Sequence, residues 1–447
     1  MELVSKRVAG AIFMGGLVAI LFLGFFSSEP LITDSVLTLG LILFTFFLYR
    51  PKWGIFLVLF IRPAIDKFSD TFSVSFQNIN INSSAIFGSL VILLLSLFIL
   101  KNRSRLSSVP LKKHWAIFLT LIVLSMFFSI DTPSSLYEII RIISIFLIFI
   151  SVFILAKEET SKEQIAYAII YSAIIPFFFA TYQLITGTGL GGTEGIESRL
   201  FGTFSHPNPF ASFVFIVLVI SIFFFTKEKL PRQKWFLGAI IVWGIFLLIQ
   251  TYSRGAWLAF ILFLLILTTI RYPKALLGIA LTILLLFFSS EIIRDRVEDI
   301  YNPPADSSVR WRFAQWERMY GLFLKKSLTG YGIGTEIIAH EKEFGFNAGN
   351  PYTHNDFLRV ALETGIVGAI SYFVLLMATF FKLILNYRKE KNPWHKDFEL
   401  FVLALFIAIL SFSLTNNTLR ETVTQWTMWS LVAIALSLYA QKNISQK

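Results

Sequence analysis

The chain has 447 residues, 55% hydrophobic and only 15% charged, with 39 basic against 28 acidic side chains for a net charge of +11. Soluble domains carry about 25% charged residues, so a soluble globular class is excluded. The absence of cysteine excludes disulfides and thiol chemistry, and the positive balance suits the basic cytoplasmic loops of a membrane protein better than a nucleic-acid surface.

In chain order, apolar runs predict membrane helices over 8–26, 31–49, 53–65, 84–100, 115–130, 136–156, 164–186, 208–226, 235–250, 255–270, 275–290, 357–385, 398–415 and 422–440. The first has a short basic start and no small-residue cleavage site, so it reads as a retained helix. The third is short and holds Arg62 and Pro63, as a re-entrant segment would. The expected fold is an all-α polytopic membrane protein of about 12–14 transmembrane helices with a large, partly helical periplasmic loop. Its expected parts are N-terminal helices over 1–290, the outer loop over 291–356 and C-terminal helices over 357–447.

Loop charges test this threading. With a cytoplasmic N-terminus, the inside loops hold 23 lysines and arginines, whereas the short outside loops hold 4: Lys67, Arg199, Arg254 and Arg420. The alternation holds at every crossing and puts both termini in the cytoplasm.

Two outside segments stand out. Gly187–Asn208 is glycine-rich and ends in Ser-His206-Pro-Asn. Glu291–Asp356 is long enough to be a structured functional loop. Within it Arg296–Ile300 and Ser308–Leu324 read as amphipathic helices, and Gly330–Gly334 as a turn. That turn is no phosphate loop, because no Lys-Ser/Thr follows and no strand precedes.

Thr353 and Asp356 have the spacing of a capping box, which predicts a helix start with His354 at its first position. The positive end of the helix dipole then disfavours the imidazolium, leaving a neutral histidine able to take a proton. Helical periodicity brings Gly365 and Gly368 close to the face of His354. Arg254, between two predicted helices, reads as a snorkelling interfacial arginine or as an anion clamp whose planar fork matches phosphate oxygens. Gly255 beside it would let a ligand approach the backbone. Arg310 and Arg312 flank Trp311, and Arg199 lies in the first outer segment. Several outside arginines with one poised histidine form a constellation for a lipid-linked pyrophosphate, the histidine serving as base. Tyr352 and Asn355 are candidates for orienting sugar or phosphate groups, whereas His206, before Pro207, reads as structural. Glu138 and Arg141, one turn apart in a predicted helix, read as a structural ion pair in preference to part of a pathway. No Asp-x-Asp pair and no zinc-spaced cluster occurs, so neither metal nor other cofactor is expected, and no nucleotide motif supports ATP-driven transport.

At these residues the chain resembles the O-antigen ligase and O-antigen polymerase superfamily. His354-Asn355, nine residues, Gly365, two residues and Gly368 reproduce the ligase pattern. Ser253-Arg-Gly-Ala256 looks like the family's Ser-Arg-Gly turn. Arg199-Leu-Phe-Gly-Thr-Phe followed by Asn208-Pro-Phe-Ala211 looks like its preceding segment. Ser308-Val-Arg310, Trp316 and Leu328-Thr-Gly-Tyr-Gly332 resemble its large outer loop.

The resemblance covers roughly 195–370. It implies a membrane glycosyltransferase of the GT-C type in the bacterial inner membrane, with its active site on the periplasmic side. The donor would be a glycan on undecaprenyl diphosphate and the acceptor lipid A–core, or a second lipid-linked glycan in a polymerase. His354 would be the general base and Arg254 and Arg310 the diphosphate binders, with Arg199 as a further candidate; Arg312 is a candidate from its place beside Trp311 and not from the resemblance. The family commonly has about twelve helices, fewer than the fourteen predicted here. The contrasting class, a lipid-linked glycan transporter or flippase, would be expected to show repeat symmetry and ionisable groups at mid-membrane. No repeat is visible.

Overall fold

The computed structural model describes residues 49–65, 73–76, 79–191, 198–289, 308–346 and 350–445, with isolated positions between 38 and 47 and between 291 and 302. Helix 8–26, more than half of 31–49 and all of the amphipathic stretch Arg296–Ile300 but residue 298 lie outside these. The described helices are α1 (Pro51–Ile65), α2 (Ser83–Lys101), α3 (Lys112–Ser125), α4 (Thr132–Leu155), α5 (Glu159–Ser172), α6 (Ile174–Thr186), α7 (Pro207–Lys227), α8 (Pro231–Gln250), α9 (Arg254–Ile270), α10 (Ala275–Ser289), α11 (Ser308–Lys325), α12 (Glu336–Phe344), α13 (Asp356–Lys389), α14 (Pro393–Ser413) and α15 (Thr422–Ser445). Two short antiparallel pairs accompany them, β1 (Ser73–Phe76) with β2 (Ile79–Asn82) and β3 (Leu190–Gly191) with β4 (Ser198–Arg199).

The protein is an all-α polytopic membrane protein. Among the described residues, five helical stretches are long and apolar enough to cross a membrane: Thr132–Leu155, Ser161–Thr186, Pro207–Lys227, Pro231–Gln250 and Asp356–Lys389. Phe87–Lys101, Arg254–Ile270 and Thr422–Leu438 are shorter apolar helices.

The departures from the expected elements are local. The expected helix 164–186 is interrupted between Ser172 and Ile174. Pro176 lacks the N–H that would bond Ser172, and its ring crowds that carbonyl. The helix expected at 136 starts earlier, because Asp131 accepts the Ser134 N–H at 3.0 Å and Pro133 occupies the first turn. The 15-residue α1 is about 22 Å long at 1.5 Å per residue, short of a full crossing.

The buried core runs through α4, α7, α14 and α15, where consecutive apolar residues are enclosed on most sides. Trp429 packs against Trp115, Phe149 and Phe406, tying α15 to α3, α4 and α14. At one end of the bundle, Asp397 pairs with Lys227 and with Arg271 at 2.8 Å, joining loops that the charge pattern assigned to one side.

The outer-loop element α11 packs against α13. Helix α13 breaks at Gly365, whose φ of 69° and ψ of −178° are non-helical. The chain from 327 to 332 fills the break: Tyr331 N–H donates to the Leu362 carbonyl (3.1 Å), Gly332 N–H to Glu363 (2.8 Å) and Ile366 N–H to Ser327 (2.8 Å). A Cβ at Gly365 would sit 2.1 Å from the Leu328 carbonyl oxygen. Gly365 is therefore a docking point for the turn at 330–334, which replaces the expected continuous helical face.

Below this junction lies a buried cluster. Glu138 binds both Arg141 and Arg359, and Arg359 also faces Glu363 at 3.2 Å and Glu336 at 3.7 Å. Arg420 reaches Glu336 at 3.2 Å. The expected Glu138–Arg141 pair is thus one edge of an alternating array of carboxylates and guanidiniums. Such balance is what makes burial of charge tolerable.

Candidate functional site

A cavity of about 320 Å³ opens where β3–β4, the α8–α9 turn, α11, the residues before α13 and the α14–α15 loop converge. Its walls include Arg199, His206, Asn208, Tyr252, Ser253, Arg254, Gly255, Trp311, Arg312, Asn350, His354 and Asn416. All come from segments that the charge pattern put on one side of the membrane. A larger groove of about 910 Å³ between α1 and α5, lined by Trp53, Phe56 and Tyr167, holds no arginine or histidine. Of these two, the first cavity brings histidine and arginine side chains together.

His354 is not at the first helical position. The N-cap of α13 is Asn355, whose Oδ1 accepts the N–H groups of Phe357 (3.0 Å) and Leu358 (3.1 Å). The expected capping box does not form, because both its members are engaged elsewhere. Thr353 donates to Glu336, and Asp356 accepts from Thr418 and from the Leu419 N–H (2.9 Å). His354 instead occupies a left-handed turn, φ 48°, just outside the helix. Tyr252, before Ser253-Arg254, is likewise left-handed at φ 50°. Each such residue costs on the order of 1–2 kcal/mol, and both line the cavity.

Neighbours hold the His354 turn on both sides. Trp316 Nε1–H donates to the Thr353 carbonyl at 2.9 Å, and Trp311 meets the His354 ring edge-on at 5.5 Å. Burial, then the positive charge of Arg312, pushes the His354 pKa down to about 4 against an opposing pull from Glu336. The ring is therefore neutral at pH 7, as expected, but burial and a guanidinium are the causes in place of a helix dipole.

Arg254 begins α9. Ser253, at its N-cap, forms no capping bond and donates to Asn208 Oδ1 at 3.1 Å instead, so no side chain at that position covers the first amides of α9. Gly255 is also a packing requirement: a Cβ there would meet Phe412 at 2.9 Å. Asn208 is a hub, receiving Arg199 Nη2 at 3.4 Å and donating to Asn416 Oδ1 at 2.7 Å. Arg199 also donates through Nε to the Thr251 carbonyl at 3.0 Å, so its fork braces the α8–α9 turn.

Arg310 and Arg312 part company. Two residues apart on α11, they point about 200° apart, so only one can face inward. Arg312, with Trp311, enters the cavity, whereas Arg310 is exposed and outside it. Burial, then Arg254, lowers the Arg312 pKa to about 10, still cationic at neutral pH. Tyr352 lies outside the cavity under the Arg420 guanidinium, 5.4 Å from its ring centre. Asn355 is occupied as a cap. The Tyr352 ring also lies 6.1 Å from that of His354, at the edge of the site.

His206, Asn208, Asn416 and Glu336 belong to this end of the molecule without having been singled out as site residues by the sequence. His206-Pro207-Asn208 has the form of an N-cap, Pro and polar residue, which hides a second reading. Glu336 carries no local signal, because its partner Thr353 is seventeen residues away.

A helical membrane bundle with a cationic, histidine-bearing cavity at one end is the class that fold and site define. Residues 239–373 match the family model described as O-Antigen ligase, a similarity over that part of the chain that is consistent with the O-antigen ligase and polymerase superfamily. Arg254, Arg312, His354 and Gly365 fall inside the match, whereas Arg199, His206 and Asn416 contribute to the same cavity from outside it. No curated protein matches the chain.

Proposed function

We propose that the protein is a metal-independent glycosyltransferase of the bacterial inner membrane that transfers a glycan from undecaprenyl diphosphate to an acceptor hydroxyl. The observation that carries this is the sharing of one cavity by a neutral His354 and the guanidinium groups of Arg254 and Arg312. The acceptor oxygen attacks the anomeric carbon and the bond from that carbon to the phosphate oxygen breaks. The acceptor's proton passes to His354, and undecaprenyl diphosphate departs with the bonding electron pair. Attack opposite the leaving group inverts the anomeric centre. Arg254, Arg312 and the amides opening α9 stabilise the negative charge developing on the diphosphate. The leaving group is already good, so neither an acid nor a metal has to assist it.

The loop charges support a periplasmic site, and the O-antigen ligase match favours lipid A–core as acceptor. Polymerisation onto a second lipid-linked glycan is the alternative with the same chemistry. The test supplies one lipid-linked glycan with lipid A–core, or alone, to the purified protein. A glycan-bearing lipid A–core with inverted linkage is expected. Chain extension in both arms assigns a polymerase, and no transfer in either, or retention of configuration, ends the proposal.

A further inference from the structure

The second histidine of the cavity has a fixed tautomer. His206 is the N-cap of α7, and it caps with its ring: Nδ1 accepts the Asn208 backbone N–H at 3.2 Å. An Nδ1 that accepts carries no proton, so the neutral ring must carry its proton on Nε2. His206 lines the cavity, and Nε2 has no hydrogen-bond partner among the described residues. Protonating the ring would turn Nδ1 into a second donor facing the Asn208 N–H, so the cap opposes it. Burial, then Arg199 and Arg312, pull in the same direction. The ring is thus unable to serve as a base from Nε2, which already holds its proton, and has a single neutral donor to offer.

We propose that His206 Nε2–H donates a hydrogen bond to a phosphate oxygen of the lipid-linked diphosphate, making His206 a third kind of diphosphate ligand beside the arginines and dividing labour between the two histidines. The identity of the anion rests on the glycosyltransferase reading. An anion is favoured over a sugar hydroxyl because Arg199, Arg254 and Arg312 line the same cavity as this ring. A neutral donor in a cavity with three guanidiniums adds a directed bond to the anion without adding a fourth repelling cation.

Two substitutions separate cap from donor. Asn is a good N-cap and replaces Nδ1, but is too short to replace Nε2. Gln places an amide N–H near the position of Nε2 but caps poorly. Binding of undecaprenyl diphosphate is measured on the full chain in nanodiscs, with thermal stability in parallel. The expected result is that His206→Asn keeps its stability yet binds at least tenfold more weakly, while His206→Gln binds within about threefold of wild type despite a lower melting temperature. Wild-type affinity in His206→Asn overturns the assignment and leaves His206 a cap. Equal losses in both variants also overturn it, since the ring then matters for shape and not for its proton. Wild-type glycan transfer, assayed alongside, tests the parent reading separately: absent transfer sinks that reading, whereas normal transfer with unweakened His206→Asn sinks only this one.

Discussion

Glu336 accepts both the backbone N–H of Thr353, at 3.2 Å, and the Thr353 hydroxyl, and so grips the residue immediately before His354. Its other oxygen faces Arg420 at 3.2 Å and Arg359 at 3.7 Å. The left-handed turn at His354 is thereby anchored to the buried charge cluster. Glu336→Gln keeps an acceptor for Thr353 and removes the charge. Glu336 raises the His354 pKa, so its loss should lower that pKa further. The acidic limb of the rate–pH profile should move to lower pH with turnover at pH 7 little changed, while thermal stability falls because two arginines lose a carboxylate. An acidic limb that moves upward would contradict the arrangement.

His354→Gln preserves hydrogen bonding but cannot take a proton at neutral pH. Turnover should drop by about 10²–10⁴-fold with donor affinity nearly intact. In the wild type the neutral form persists down to a pKa of about 4, so activity should be flat from pH 8 to 6 and fall only near that value. The stability sign follows. His206 and His354 are both depressed to about 4 in the fold, against an ordinary value of 6.5. Between those values the unfolded chain binds protons that the fold does not, so stability decreases as pH falls from 6.5 to 4 and is unaffected by these groups above 6.5. Thermal inactivation temperatures across pH 4–8 check this, and a rise on acidification would refute it.

The arginines divide by position. Lysine keeps the charge but loses the planar fork. Arg254→Lys and Arg312→Lys should each reduce kcat/KM roughly ten- to a hundredfold, the worth of a charge-assisted contact of about 1.5–3 kcal/mol. Arg310→Lys, on the exposed face of α11, should stay within about threefold. Equal losses at Arg310 and Arg312 would show that the cavity is not where the donor binds.

Gly365→Ala tests the junction between α13 and the 327–332 turn. Its Cβ would overlap the Leu328 carbonyl at 2.1 Å in a backbone conformation of φ 69° that alanine disfavours. The variant should lose several degrees of thermal stability and become cleavable by protease within 326–346 before the rest of the chain. Wild-type protease resistance would mean that the turn docks without the break.

Most of the helices were legible from apolar runs, because a membrane helix must satisfy its backbone internally and be long enough to cross. Arg199 and Arg254 were legible as outside exceptions to a charge rule, and Arg312 only as one of two arginines beside Trp311. What stayed hidden was decided by tertiary partners. Thr353 and Asp356 have the spacing of a capping box, yet Glu336 and the Thr418–Leu419 segment outcompete the helix end for them. The two guanidiniums flanking Trp311 are equivalent as letters and opposite as faces of α11. His206 looked structural because it is structural, through one nitrogen, which says nothing about the other.

The break at Gly365 and the charge cluster also set an order of assembly. The turn at 327–332 is synthesised before α13, so when α13 emerges the partner for its open carbonyls is already made. Glu336 acquires Arg359 next, but Arg420 and Asn416 arrive only with the later hairpin, α14 to α15. The cavity therefore lacks a wall, and the buried charge cluster a cation, until residues 416–420 have been synthesised. A nascent chain released early would carry His354 and every arginine named as a ligand, and still have no closed site in which to use them.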